Sequence, residues 1–278
     1  MAELNRARIS PREFHHLSTL VKERFGLVLD TKEHMVNVRL SRKLRELQYA
    51  SFKEYYAHVT SDASGAALKD MVDALTTNFT SFFREPEHFD VLRYKIAGEH
   101  RQHDPLRVWS AACSTGEEPY SIAIALLEAL ADQPGRSIQV VASDVSSRAL
   151  KRAEEGLYEA GQLATVPRPL VRKYFLKGEG QWNGWYRVKP AVRALIEFRR
   201  INLMAPLPAQ LPFSVIFCRN VMIYFDQAGQ ESVVNRLAPL LEPNGYLFIG
   251  HAEGLAGVEH PLRYIQPAVY KRCSGRAR

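Results

Sequence analysis

The sequence predicts an α/β protein: a mainly parallel sheet covered by helices on both faces, preceded by an all-helical unit and interrupted by a small antiparallel insertion. Three observations carry that prediction. Before residue 106 the apolar spacing is helical, with no strand alternation; from there strand-like and helix-like runs take turns; and a glycine-rich break, KGEGQWNG, sets two short strand patterns apart from that rhythm.

In the first unit, Phe14, Leu17, Leu20 and Val21 keep helical spacing, as do Leu40, Leu44 and Leu47, with breaks at Gly26 and Asp30-Thr31. Arg39, Arg42 and Lys43 fall on adjacent turns while the leucines turn elsewhere. Such a cationic face is either ordinary solvated surface or a docking face for an acidic helix or a nucleic-acid backbone. The expected organisation is a helical domain over 1–78, a linker over 79–104, an α/β domain over 105–278, and a β insertion over 176–200 within it.

The strand patterns of the second unit are RVWSAA (107–112), SIQVVASDV (137–145), FSVIFCRN (213–220) and YLFIGH (246–251), with helices expected near 118–131, 146–155 and 227–241. Near-continuous apolar strands joined by helices read as a parallel sheet buried on both sides. WYRVKP and ALIEFRRIN are expected to form the antiparallel insertion, and LRYIQPAVYKR two antiparallel edge strands.

The chain has 278 residues, 46% of them hydrophobic and 24% charged, which suits a globular protein with one sizeable core and a smaller companion. The apolar run Ile122 to Leu127 is far too short to span a bilayer, and the first residues lack the pattern of a secretory signal. Cys113, Cys218 and Cys273 are scattered and odd in number, which argues against a disulfide framework and against a zinc site. A cytoplasmic protein without a metal is expected. The formal charge of +7 points to an acidic partner: nucleic acid, a protein surface or anionic lipid.

Ligands of open α/β sheets sit beyond the C-terminal ends of the strands. After RVWSAA comes a loop with one glycine, Ser114, Thr115 and two acids, Glu117 and Glu118, but neither GxGxxG nor GxxxxGK[ST]. That chemistry is poor for a phosphate dianion and suits a neutral or cationic nucleoside, of which S-adenosylmethionine is one. The two acids could equally complement a helix dipole without any ligand. Asp144, ending the next strand, is placed to accept hydrogen bonds from ribose hydroxyls.

Several stretches together resemble the chemotaxis receptor methyltransferases of the CheR type: NFTSFFREPEHF (78–89), RVWSAACSTGEEPYSIAI (107–124), ASDVSSRAL (142–150), FCRNVMIYFD (217–226) and GHAEGL (250–255). Ala252 stands where the family pattern has serine. The resemblance implies a Rossmann-like S-adenosylmethionine-dependent sheet and transfer of a methyl group to receptor glutamates, with S-adenosylhomocysteine as the other product. It further implies that Asn78, Thr80, Arg84, Glu118, Asp144, Asn202, Leu203, Arg219 and Asn220 contact the cofactor, with Arg84 and Tyr224 nearest the transfer. Whether Arg84 holds the cofactor carboxylate or the incoming glutamate stays open. The implied partner is the helical methylation region of chemoreceptors, met by Arg39, Arg42 and Lys43. In some members a receptor C-terminal peptide is also gripped by the β insertion.

A glutamate nucleophile, with a pKa of about 4.3, is already ionised at neutral pH, so no general base is required. His251 and Glu253 could pass for a proton-transfer pair, and a loop-ordering role is favoured for them. A nucleic-acid methyltransferase commonly carries Asn/Asp-Pro-Pro-aromatic after the fourth strand; here Asn220-Val221-Met222-Ile223-Tyr224 lacks the prolines, and no nucleic-acid partner is expected. A cofactor-binding regulator without catalysis is the remaining rival.

Overall fold

The computed structural model describes residues 8–96, 105–133, 135–209 and 212–273. The expected linker therefore has its last part, 97–104, outside the described residues, as do 1–7 and 274–278 of the outer domains.

Four helices form the first unit: α1 Pro11–Phe25, α2 Glu33–Glu46, α3 Phe52–Ser61 and α4 Ala66–Leu75. Helix α1 begins with a capping box between Ser10 and Glu13, and it stops at Gly26, whose φ of 70° is the left-handed conformation that glycine adopts most easily. Leu17, Val21, Val36, Leu40, Leu44, Phe52, Val59 and Met71 close a separate small core. The predicted spacing marks the inward face of α1 and α2 at Leu17, Val21, Leu40 and Leu44, whereas Leu47 is 44% exposed and lies just past the end of α2. A short helix, α5 Pro86–Asp90, leads from this unit toward the sheet.

The main sheet has seven strands: β1 Leu106–Ser110, β2 Ile138–Asp144, β6 Ile196–Arg200, β7 Phe213–Phe217, β8 Leu241–Phe248, β9 Leu262–Gln266 and β10 Val269–Arg272. Their order is β6-β2-β1-β7-β8-β10-β9. The first five are parallel, and β10 and β9 add the antiparallel edge that the sequence predicts. Helices α6 Glu117–Ala129, α7 Ser147–Glu155 and α10 Gln227–Leu237 pack on it. Alternate residues face opposite cores: Val108, Val215, Phe217 and Phe248 one way, Trp109, Ile216 and Leu247 the other. Both faces are therefore covered, as near-continuous apolar strands require.

The predicted insertion over 176–200 needs correction. The small antiparallel sheet is built from β3 Leu157–Glu159, β4 Phe175–Lys177 and β5 Trp185–Val188, in the order β3-β5-β4. It starts about twenty residues earlier than expected. Residues Ile196–Arg200 belong instead to the main sheet, pairing in parallel with β2 from Val140↔Ile196 to Asp144↔Arg200. The physical reason is that β2, with Ala142 and Ser143 fully buried, needs ladder partners on both sides. A half-covered edge strand has the same period-two texture as a hairpin strand, so local pattern cannot tell them apart. A short helix, α8 Arg168–Tyr174, lies within the insertion between β3 and β4, and another, α9 Pro190–Arg193, follows β5. The predicted strand 246–251 also shifts: β8 starts at Leu241 and ends at Phe248, with a register irregularity opposite Phe213 and Val215.

Candidate active site

The chain turns back on itself beside β1, so the C-terminal ends of β6, β2, β1 and β7 share one edge, the usual ligand position in open sheets. A cavity of about 350 Å³ opens there. All ten residues expected at the cofactor and the transfer line it: Asn78, Thr80, Arg84, Glu118, Asp144, Asn202, Leu203, Arg219, Asn220 and Tyr224.

The loop after β1 is tightly specified. Gly116 has φ 100°, and a Cβ there would stand 2.7 Å from the Tyr158 hydroxyl and 2.9 Å from Ala153 Cα. No other residue fits. The Ser114 backbone N–H donates to Asp144 Oδ2 at 2.9 Å, and the Ser146 N–H donates to Oδ1 at the same distance. Asp144 thus ties two loops together while keeping lone pairs for hydroxyl donors from the cavity. Burial raises its pKa above the usual carboxylate range, and the backbone donors offset this only in part.

Glu117 and Glu118 part company. Glu117 turns away from this cavity, accepting from Thr115 Oγ1 and Gln162 Nε2. Glu118 faces the cavity and accepts from Ser110 Oγ at 2.7 Å and Arg219 Nη1 at 2.9 Å. Burial pushes its pKa up as well, with Arg219 pulling against that.

Arg219 is buried to 4% exposure, and its guanidinium joins three segments. Besides Glu118 it donates to Glu85 Oε2 at 2.9 Å and to the Arg84 carbonyl. Burial raises the Glu85 pKa, yet Arg219, Asn220 and the His251 N–H outweigh it and hold the carboxyl below its ordinary value. Glu85 was given no role by sequence reasoning; its only signal was its place inside NFTSFFREPEHF. His88 lies behind it, 1% exposed, its pKa pushed down to about 3 by burial and by Arg219.

Tyr224 sits at the end of a 3-10 turn, Met222–Tyr224, and is half-buried. Its carbonyl accepts from the Val28 N–H at 2.8 Å, and Lys32 Nζ lies 4.5 Å from its ring centroid. Leu27, Val28 and Lys32, from the helical unit, therefore form one wall of the cavity, which sequence reasoning missed. Asn202 uses its side chain locally: Nδ2 donates to the Arg24 carbonyl at 2.7 Å and Oδ1 accepts from the Met204 N–H. It shapes the wall, with buried Leu203 beside it.

Glu253 orders the loop, as favoured. Its Oε2 accepts the N–H groups of Asn220 and Gly250, and its Oε1 those of Met222 and Ile223, at 2.6 to 3.2 Å. Asn220, at φ 55°, holds a left-handed conformation that asparagine tolerates.

The expected docking face is altered. Arg39 donates to the carbonyls of Leu75 and Thr76 and to Thr77 Oγ1, so it clamps the end of α4 and is no free cation. Lys43 pairs with Asp70 at 2.6 Å, and Arg42 pairs with Glu46 while staying largely exposed. The interior of a helical unit needs its C-terminal carbonyls satisfied, and Arg39 is the nearest donor.

This architecture, with Asp144 at the end of β2, Glu118 at the start of α6 and no glycine-rich phosphate loop among the described residues, is that of the S-adenosylmethionine-dependent methyltransferase class. Residues 12–76 match the all-alpha domain of CheR methyltransferases and residues 78–270 their SAM binding domain. The chain is 41% identical over 271 residues to the chemotaxis protein methyltransferase of Salmonella typhimurium, covering 95% of this chain and 91% of that one. It is 43% identical over 270 residues to chemotaxis protein methyltransferase 2 of Pseudomonas aeruginosa, covering 93% and 95%. The Escherichia coli chemotaxis protein methyltransferase is 40% identical over 269 residues, with 95% and 92% covered. The chain belongs to the CheR methyltransferase family, and S-adenosylmethionine is its cofactor.

Proposed function

We propose that this enzyme methylates glutamate side chains in the helical methylation region of chemoreceptors, as a protein-glutamate O-methyltransferase. The observation that carries the reading is that no histidine and no free carboxylate line the cavity among the described residues: its two acids, Glu118 and Asp144, are held by Arg219 and by backbone donors, and the one lysine, Lys32, whose pKa burial lowers, packs over the Tyr224 ring. A substrate that arrives ionised needs nothing more, whereas an amine or alcohol has a proton to lose.

S-adenosylmethionine supplies, when bound, a methyl group on a positive sulfur. Glu118 suits the ammonium group, Asp144 the ribose hydroxyls, and Leu203 the adenine face. A glutamate oxygen takes the methyl as the bond to sulfur breaks; both charges vanish, S-adenosylhomocysteine remains and no proton moves. Strong hydrogen bonding to the carboxylate would hold it back, so orientation dominates, contributing on the order of 7 to 11 kcal/mol in well-oriented systems. Tyr224 aims the carboxylate with one hydrogen bond. Arg84, against the exposed Phe79 ring, supplies a cation for the cofactor carboxylate or the incoming side chain.

Arg42 of α2, largely exposed, is left to present positive charge to an acidic receptor helix, with Lys43 behind it mostly covered and paired with Asp70. The small sheet, with Leu176 and Trp182 about half exposed, suits a receptor C-terminal peptide. No helix among the described residues is long and apolar enough to cross a membrane, which accords with a cytoplasmic enzyme acting on a membrane receptor.

The test uses methyl-labelled cofactor, the purified protein and chemoreceptor-containing membranes. Labelled receptor that releases volatile methanol on base treatment is the expected product. Base-stable label would place the methyl on nitrogen and overturn the reading, and cofactor binding without any labelled product would make the protein a regulator.

A further inference from the structure

We propose that Glu85, His88 and His251 form a site for a divalent transition-metal cation of the Zn²⁺, Cu²⁺ or Ni²⁺ kind, directly behind Arg219. One ligand atom from each residue lies within 4.8 Å of the other two. Glu85 is the N-cap residue of α5, in a left-handed conformation with φ 57°, and stands three residues before His88, whose Nδ1 it faces. His251 comes from the loop after β8, and its ring centroid is 4.8 Å from that of His88.

The independent sign of a ligand is His88 itself. It is 1% exposed, neither ring nitrogen has a hydrogen-bond partner, and Nδ1 stops 3.5 Å short of Glu85 Oε2. Buried polar groups are almost always satisfied, and an imidazole left bare beside a carboxylate and a second imidazole is a donor set awaiting an acceptor of lone pairs. With metal–nitrogen bonds of about 2.0–2.1 Å, tetrahedral ligands stand about 3.3 Å apart, so the set closes by a shift of about 1.5 Å. The exposed His251 ring can make that movement while His88 stays fixed in the core.

Charge also favours a cation. Glu85 and Glu118 share the single guanidinium of Arg219, leaving the cluster one negative charge in excess. Glu85 Oε2 already accepts from Arg219 and from the His251 N–H at 3.3 Å, and Oε1 from Asn220 Nδ2 at 3.3 Å; a carboxylate has about four acceptor positions, so the one that remains is on Oε1, which is the oxygen left for a metal. Two nitrogens and one oxygen select Zn²⁺, Cu²⁺ or Ni²⁺ over Mg²⁺ or Ca²⁺, which prefer all-oxygen sets. A metal here draws on the same carboxylate as Arg219, and through Arg219 it reaches Glu118. Metal uptake should therefore weaken cofactor binding; this second arm rests on the proposed role of Glu118, and the first does not.

Equilibrium dialysis of the full chain against Zn²⁺, and the Cu²⁺ electron paramagnetic resonance spectrum, test the site. Expected are one equivalent of metal, two coordinated nitrogens, and a loss of affinity of roughly tenfold or more in His251→Ala, whose metal-free melting temperature should match wild type. Zn²⁺ should raise the melting temperature of wild type and not of His251→Ala. No bound metal, or binding that survives His251→Ala and disappears in a His15→Ala/His16→Ala control on α1, overturns the site. Metal bound as expected but without effect on S-adenosylhomocysteine affinity keeps the site and overturns its link to Arg219.

Discussion

Replacing Glu253 by glutamine tests whether the loop bearing Tyr224 is held by one carboxylate. The glutamine keeps the shape but has a single acceptor oxygen, so it can serve either the Asn220 and Gly250 N–H groups or those of Met222 and Ile223. Its amide nitrogen then meets the other two donors head on. Leaving a buried donor unsatisfied costs about 1–3 kcal/mol; these donors are only partly buried and that of Ile223 is exposed, so two cost roughly 2 kcal/mol at the low end of that range. For a chain of this size that lowers the melting temperature by about 4–8 °C. The turn Met222–Tyr224 loses its anchor, and a displacement of the tyrosine of about 1 Å lowers methyl transfer up to 100-fold. S-adenosylhomocysteine affinity should change far less, because Glu118 stands in the first turn of α6 and Asp144 at the end of β2. Differential scanning calorimetry, single-turnover methyl transfer and titration calorimetry on the same variant make the comparison. Wild-type melting and wild-type transfer together would refute the anchoring argument.

Tyr224→Phe should lower transfer about 10- to 100-fold with cofactor affinity unchanged, as measured by single-turnover labelling and calorimetry. Arg219→Met leaves Glu85 and Glu118 buried and unpaired, and breaking such a buried pair costs about 3–5 kcal/mol, visible in urea unfolding. Charge reversal at Arg42 and Lys43 should slow transfer to receptor membranes while S-adenosylhomocysteine binding stays at the wild-type level; an equal loss of both would remove the docking role. Burial holds Glu118 and Asp144 above the usual carboxylate range, so both take up protons earlier than exposed acids as pH falls. Cofactor affinity should accordingly decline on going from neutral to mildly acidic pH, which calorimetry can follow, and a flat profile down to the ordinary carboxylate range would contradict it.

Asp144 was legible because it sits where a strand ends, closing β2, and the single glycine between β1 and α6 marks a turn that only glycine can make; Arg219, which follows β7, was offered only by the resemblance to the CheR type. The alternation of apolar strands and helices fixes which ends those are. Other parts depend on distances that no local pattern carries. Arg39 looks like a surface cation until the carbonyls of Leu75 and Thr76 arrive beside it from 36 residues away or more. Ile196–Arg200 looks like a hairpin strand until β2 offers it an edge. Glu85 could not be valued before Arg219, 134 residues further on, was seen to bind it. Periodicity reports which face of an element is buried; it says nothing about which distant polar atom will be waiting there.

The seam between the helical unit and the sheet has an evolutionary and engineering consequence. Asn202 grips the Arg24 carbonyl, Val28 donates to Tyr224, and Lys22 pairs with Asp226 at 2.9 Å. One wall of the cavity beside Tyr224 is therefore borrowed from the helical module. Chimeras that exchange the helical modules of two relatives should keep their folds yet lose turnover unless residues 22–32 travel with the catalytic sheet, so receptor preference and chemistry cannot drift apart freely in this architecture.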